Sequence, residues 1–121
     1  DDSRMAWGLF ARDPLPTWIS GRIALLGDAA HPMLPFMGQG AAMAIEDGVV
    51  LGRAFAASSS VAEAFARYEA TRKPRADFVQ HQSLLGADRL QFDVAKTGLP
   101  PAETEDSLGI FHYDPSTTDL K

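Results

Sequence analysis

The segment from residue 27 to residue 47 constrains this chain more than any other. It follows a short apolar run, Ile23-Ala24-Leu25-Leu26, and leads into the small residues Ala41, Ala42, Met43 and Ala44. A short apolar run bounded by turn signals reads as a buried strand, and the crowded small residues read as a closely packed helix. Between them lie Pro32 and Pro35, while Gly38 and Gly40 sit where the helix should begin. A strand, a tight acidic turn and a glycine-bearing helix start together describe a ligand site at the carboxyl end of a strand.

The rest of the chain falls in order around that turn. Residues 4–12 are rich in aromatic and apolar side chains and read as a strand, with Trp7 as a core or interface aromatic. Pro14 and Pro16 end it, and residues 13–21 form a connecting loop that carries Trp18, a second core or interface aromatic. The strand of residues 22–26 is apolar on both faces, as in a parallel sheet covered on both sides. Residues 39–57 are helical, with Glu46, Asp47 and Arg53 as their charges, so the helix is expected to be buried almost all round. Three serines at 58–60 break it, and Ser60 with Glu63 forms a capping box for a second helix through Val61, Ala64, Phe65 and Tyr68. Pro74 either kinks that helix or starts a new one. Phe78, Leu85 and Phe92 recur every seven residues and carry helix to about residue 92. Residues 98–101 end it, residues 103–106 make an acidic loop, and residues 110–113 a short docked segment before a polar, frayed tail.

At 121 residues, the chain suits one domain or a piece of a larger one. A net charge of −5 argues against nucleic acid as a partner. With no cysteine, disulfides and thiolate metal sites are excluded, and three dispersed histidines make no zinc site, so no metal is expected. The uncharged stretch 29–45 is broken by Pro32, Pro35, Gly38 and Gln39, so no membrane span is expected. No secretory signal is visible, which favours the cytoplasm, and a chain that opens on Asp1 reads as processed or truncated.

Asp28 follows the strand directly, behind a glycine that allows close approach. Its carboxylate suits the hydroxyls of a sugar or polyol, although an Asp capping the turn at 29–31 would look the same. At Gly38-Gln39-Gly40 the first N–H groups of the helix have no partner within it, and the helix dipole adds positive charge there. That end would take an anion or an electron-rich carbonyl, and an ordinary glycine turn is the plainer alternative. The pattern is not the three-glycine dinucleotide fingerprint. Adjacent Glu46 and Asp47 point in different directions, so they make neither a metal site nor a dyad. In so apolar a helix they need partners. One is expected to pair with Arg72 or Arg75, in which case Asp47→Ala would lower stability and leave ligand affinity unchanged.

Gly27-Asp28-Ala29-Ala30-His31-Pro32, then Pro35, Gly38-Gln39-Gly40 and Ala44-Ile45-Glu46-Asp47, resembles the "GD" motif of the FAD-dependent aromatic-ring hydroxylases. Residues 10–18 and the segment Tyr68-Glu69-Ala70-Thr71-Arg72-Lys73-Pro74-Arg75 are also similar to that family, closest to its salicylate and 6-hydroxynicotinate hydroxylase branch. The resemblance implies an α/β chain: the C-terminal portion of an FAD-binding Rossmann-like domain, one or two strands followed by long helices, incomplete as a fold alone. It divides the chain into the end of a substrate-domain sheet (1–20), the strand, motif loop and helix of the FAD domain (21–57), a long helix or helix pair (58–97) and a tail (98–121).

By the same resemblance, Gly27, Asp28, Pro35, Gly38, Gln39, Gly40, Ala41 and Ala42 bind FAD. Asp28 holds the ribityl chain, and the amides of Gly40, Ala41 and Ala42 face the pyrimidine carbonyl and N1. Pro35, Phe36 and Met37 lie near an aromatic substrate. Many members have Asn where this chain has Ala42, which removes a side-chain contact and leaves the backbone one. His31 reads as part of a fixed turn, and His81 and His112 as surface or packing residues. The main catalytic groups are expected upstream, as are the G-x-G-x-x-G unit and the sheet that covers the substrate.

The implied whole is a monooxygenase that hydroxylates a phenolic or hydroxypyridine acid with NADH or NADPH and O2, with this chain inactive alone. A homo-oligomer stays open. Two rivals remain. One is a halogenase or reductase relative on the same fold, separated by substrate-dependent NADH and oxygen consumption. The other is a non-catalytic fragment or helical interaction module, marked by failure to bind FAD even with the N-terminal portion supplied.

Overall fold

A computed structural model describes residues 8–35, 38–91 and 106–121. Its elements run β1 (Ile19–Ser20), β2 (Ile23–Ala24), a 3-10 turn at Gly27–Ala29, α1 (Gly40–Ala56), α2 (Val61–Gln91) and a last 3-10 turn at Ile110–His112. Among the described residues, two strands and two helices fit part of an α/β domain.

The strands are shorter than the sequence suggests and pair differently. β1 and β2 form an antiparallel hairpin, with Ile19 opposite Ala24 and Ser20 opposite Ile23. Gly21, at φ +57°, makes the reversal possible. The connecting loop thus contributes a strand, and Ile23 is 66 % exposed instead of covered on both faces. Residues 8–12 have no strand structure, and the remainder of the strand expected at 4–12, with Trp7, lies outside the described residues. Trp18 is buried, and its ring packs against Tyr68 and His31.

α1 buries one stripe, Met43, Asp47, Val50 and Ala54, at helical spacing. Ile45, 69 % exposed, lies on the opposite face, so the expectation of burial all round is corrected. The capping box forms with one change. Ser60 Oγ accepts from the Glu63 amide (3.2 Å), while the Glu63 carboxylate turns back to the amide and hydroxyl of Ser59 (3.0 and 2.9 Å).

α2 continues through Pro74 as one helix. The carbonyl that proline deprives of a donor belongs to Ala70, and both residues are on the solvent side. Ion pairs from Arg72 and Arg75 to α1 hold the helix on either side of the interruption. Its buried face runs through Ala64, Tyr68, Arg72, Ala76, Val79 and Ser83. The seven-residue series marks a different face: Phe78 is exposed, and Phe92 lies outside the described residues.

Trp18, Ala30, Val50, Ala54, Ala64, Tyr68 and Ala76 form the main core between the hairpin, α1 and α2, and Met43, Val79 and Ile110 form a second. The described part of the tail, residues 106–121, is docked, not frayed. Arg75 donates to the Ile110 carbonyl (2.8 Å) and Arg53 to that of Pro115 (2.7 Å). The Lys121 amide reaches Thr71 Oγ1 (3.0 Å), and Leu120 packs on the main core. Among the described residues no helix is long and apolar enough to cross a membrane.

Candidate functional site

The turn after β2 is closed by its own backbone. The amides of Ala30 and His31 both donate to the Gly27 carbonyl at 2.9 Å. Gly27 holds φ +62°, and a Cβ there would stand 3.2 Å from the Cβ of Ala44. Glycine is therefore required twice, once by conformation and once by the close approach of α1. Two long side chains brace the turn. The Arg12 guanidinium donates to the carbonyls of Ala29 (2.7 Å) and Ala30 (3.2 Å), and Gln80 of α2 holds the Arg12 carbonyl (2.9 Å). Tyr68 donates to the Leu25 carbonyl (3.0 Å), tying the apolar run to α2. Burial first, and then the nearby Asp47 charge, push the Tyr68 phenol above its ordinary range.

Asp28 stands exposed on this turn, facing the start of α1. Its Oδ1 lies 3.8 Å from where a Cβ on Gly40 would be, so the absence of that Cβ keeps a gap between carboxylate and helix. Gly38, also at φ +62°, turns the chain into the helix, with its amide on the Pro35 carbonyl (3.2 Å). Gln39 is the N-cap residue and places no side-chain cap on the helix end. The first amides of α1, at Gly40, Ala41 and Ala42, have no acceptor within the helix, and the dipole makes that end positive. Gly27, Asp28 and Gly40 are thus brought together at one mouth, with Gly38, Gln39, Ala41 and Ala42 at its helix side. Pro35 is exposed on the entering loop, and Phe36 and Met37 lie outside the described residues.

Behind the turn is a buried polar network that sequence reasoning saw in part. Arg72 Nε bonds to Asp47 Oδ1 at 2.8 Å, and Arg72 also pairs with Glu46 at 2.8 Å. Arg75 grips Glu46 with two nitrogens, at 2.8 and 2.9 Å. Both acids therefore find arginines, in three pairings where one was expected. Asp47 also reaches the turn itself, which was not foreseen. Its Oδ2 accepts from the Gly27 amide (3.1 Å) and bonds His31 Nε2 (2.6 Å). His31 and Asp47 are both fully buried, so His31 is a fixed structural part of the turn.

Burial opposes ionisation of Asp47, but bonds from His31, Arg72 and the Gly27 amide outweigh it and hold the carboxyl below its ordinary range. Burial likewise works against the Arg72 cation, and its bond to Asp47 leads the contacts that raise its pKa. One signal pointed to Asp47 in the sequence: an acid two turns beyond Gly40, in the middle of an apolar helix. Arg12 carried no such signal. No cluster of potential metal ligands occurs among the described residues.

The chain is similar to known proteins. Residues 7–83 match the family described as FAD binding domain. The 6-hydroxynicotinate 3-monooxygenase of Pseudomonas fluorescens is 56% identical over 79 residues, covering 64% of this chain and 20% of that protein. The 3-hydroxybenzoate 6-hydroxylase 1 of Aquipseudomonas alcaligenes is 46% identical over 82 residues, 68% of this chain and 21% of its own length. The crystal structure of native FqzB superposes with a TM-score of 0.69 at 40% identity, covering 89% of this chain and 26% of the FqzB chain. The chain spans about a fifth of the length of the curated relatives it matches. With the family match running from before the hairpin into α2, the chain belongs to the FAD binding domain family.

Proposed function

We propose that this chain forms the ribityl- and ring-binding portion of an FAD-dependent monooxygenase acting on an aromatic acid. The carrying observation is the cradle between Asp28 and the start of α1, where Gly40 leaves open the space a Cβ would take beside Asp28 Oδ1. The cradle fits the cofactor. An exposed carboxylate accepts from sugar-like hydroxyls, and a glycine-lined helix start lets a flat ring lie against backbone amides.

Asp28 holds the ribityl hydroxyls, while Gly27 and Gly38 give the backbone its two reversals on either side. The amides of Gly40, Ala41 and Ala42 face the pyrimidine carbonyl and N1, where the helix dipole favours negative charge. Gln39 and Pro35 border the ring, and Pro35, Phe36 and Met37 are assigned to the substrate by resemblance to the aromatic-ring hydroxylases alone. When bound, FAD supplies the electron and oxygen chemistry, and the chain supplies orientation and electrostatics.

The remainder of a Rossmann-like domain and the substrate sheet belong to a longer protein. Residues 21–57 carry the flavin half-site, and the described parts of α2 and of the tail brace it. By analogy with the hydroxynicotinate and hydroxybenzoate relatives, the substrate is a phenolic or hydroxypyridine acid, with NAD(P)H as reductant and O2 as co-substrate. The test is a fluorescence titration of the longer protein with FAD, followed by oxygen uptake with NAD(P)H and 6-hydroxynicotinate or 3-hydroxybenzoate. Asp28→Ala is expected to weaken FAD binding roughly ten- to a hundredfold, the worth of hydrogen bonds to a charged group. Wild-type protein that does not bind FAD, or an unchanged dissociation constant in Asp28→Ala, overturns the proposal.

A further inference from the structure

The geometry points to Asp47 as the positioning residue of the flavin half-site: one buried carboxylate sets where Asp28 stands relative to α1. The inference rests on the flavin reading of the Asp28 cradle. Among the described residues, Asp47 makes no hydrogen bond to Asp28 itself. It acts through Gly27, the residue covalently joined to Asp28, whose amide it accepts at 3.1 Å.

The same oxygen bonds His31 Nε2 at 2.6 Å, so both ends of the turn converge on one atom. A carboxylate only accepts, so His31 carries its proton on Nε2. The other oxygen takes Arg72 Nε at 2.8 Å and fixes the carboxylate to α2. Arg72 is itself held by Glu46 at 2.8 Å, and the ring of Tyr113, from the docked tail, lies 5.1 Å from its guanidinium carbon.

All three donors point at acceptors, and a side-chain amide cannot serve them all, because one of its two ends is a donor. Asp47→Asn must therefore break either the bracket on the turn or the link to α2. Released from Asp47, Gly27 can shift against α1, and Asp28 moves with it away from Gly40. A merely structural Asp47 would lower the stability of the protein and leave the affinity of the folded fraction untouched. That was the expectation from sequence, and the bond to Gly27 is the ground for the opposite prediction.

The experiment uses the full-length flavoprotein and its flavin-stripped form. FAD dissociation constants, the visible circular dichroism of bound flavin and the stripped-form Tm are measured for Asp28→Asn, Asp47→Asn, His31→Leu and His31→Gln. Asp28→Asn should weaken FAD with little change in Tm. Asp47→Asn and His31→Leu should weaken FAD roughly ten- to a hundredfold in the folded fraction and change the flavin dichroism. His31→Gln, which restores a nitrogen donor near the Nε2 position, should return to within about threefold of wild type.

If Asp47→Asn does not fold, the two His31 variants decide the matter, since they leave the buried charge in place. Wild-type affinity and dichroism in folded Asp47→Asn, or in His31→Leu, overturn the positioning role while an effect of Asp28→Asn keeps the flavin reading. No effect of Asp28→Asn on affinity overturns both.

Discussion

Replacing Gly27 by alanine separates the two reasons glycine stands there. The first is conformational: at φ +62°, a residue with a Cβ is disfavoured by about 1–2 kcal/mol. The second is contact, because the new Cβ would lie 3.2 Å from Ala44 Cβ on a helix that cannot retreat without disturbing Asp47. Overpacking of this kind adds about 1–3 kcal/mol, so Gly27→Ala should cost about 2–5 kcal/mol in all.

Gly38 provides the internal control. It has the same φ and nothing within 4 Å of a built Cβ, so Gly38→Ala carries the conformational part alone, about 1–2 kcal/mol. Ala44→Gly costs about 1 kcal/mol as a helix substitution. Combined with Gly27→Ala it removes the clash, so the double variant should be more stable than additivity predicts by about 1–3 kcal/mol. Urea unfolding of the flavin-free protein, with m-values compared across the four variants, measures these terms. If Gly27→Ala is no worse than Gly38→Ala, or the double variant is additive, contact with α1 does not constrain the turn.

Two further outcomes follow from the buried network and the tail. The folded pKa of Asp47 is depressed, so its stabilising contribution is present above the unfolded value near 3.9 and is lost as pH falls through the folded value. Urea midpoints should therefore fall more steeply between about pH 5 and 2 in wild type than in Asp47→Asn, and parallel curves would contradict this. Tyr113→Ala removes a ring lying 5.1 and 4.2 Å from the guanidinium carbons of Arg72 and Arg75. It should cost about 1–2 kcal/mol in the same assay, and a neutral result would show that the tail does not brace the arginines.

Much of the fold was readable because it is written locally. Helix α1 starts and stops within a residue of the sequence expectation, because Gly38 and Gly40 mark its entry and Ser58–60 its exit. Ser60 and Glu63 cap α2 with partners three residues apart. Asp28 and the helix start were legible for the same reason: they are close in sequence and their residue types suit one chemistry. The hairpin was not. Two-residue strands carry no periodicity, and a turn at Gly21 looks the same in a loop. The docked segment at 110–113 was legible, but docking beyond it was missed because the Pro115 carbonyl attracts an arginine whatever side chain that residue bears.

The sequence by itself determined the ingredients of the site: a glycine–acid turn, a bare helix start and two acids in need of cations. Which bonds they make was decided by the tertiary structure. Asp47 could have ended its contacts at Arg72, and its charge would have been neutralised equally well. Only the packing of α1 against the turn brings its second oxygen to Gly27 and His31. A residue pattern specifies what must be satisfied, and the partner is whichever group the fold carries within about 3 Å.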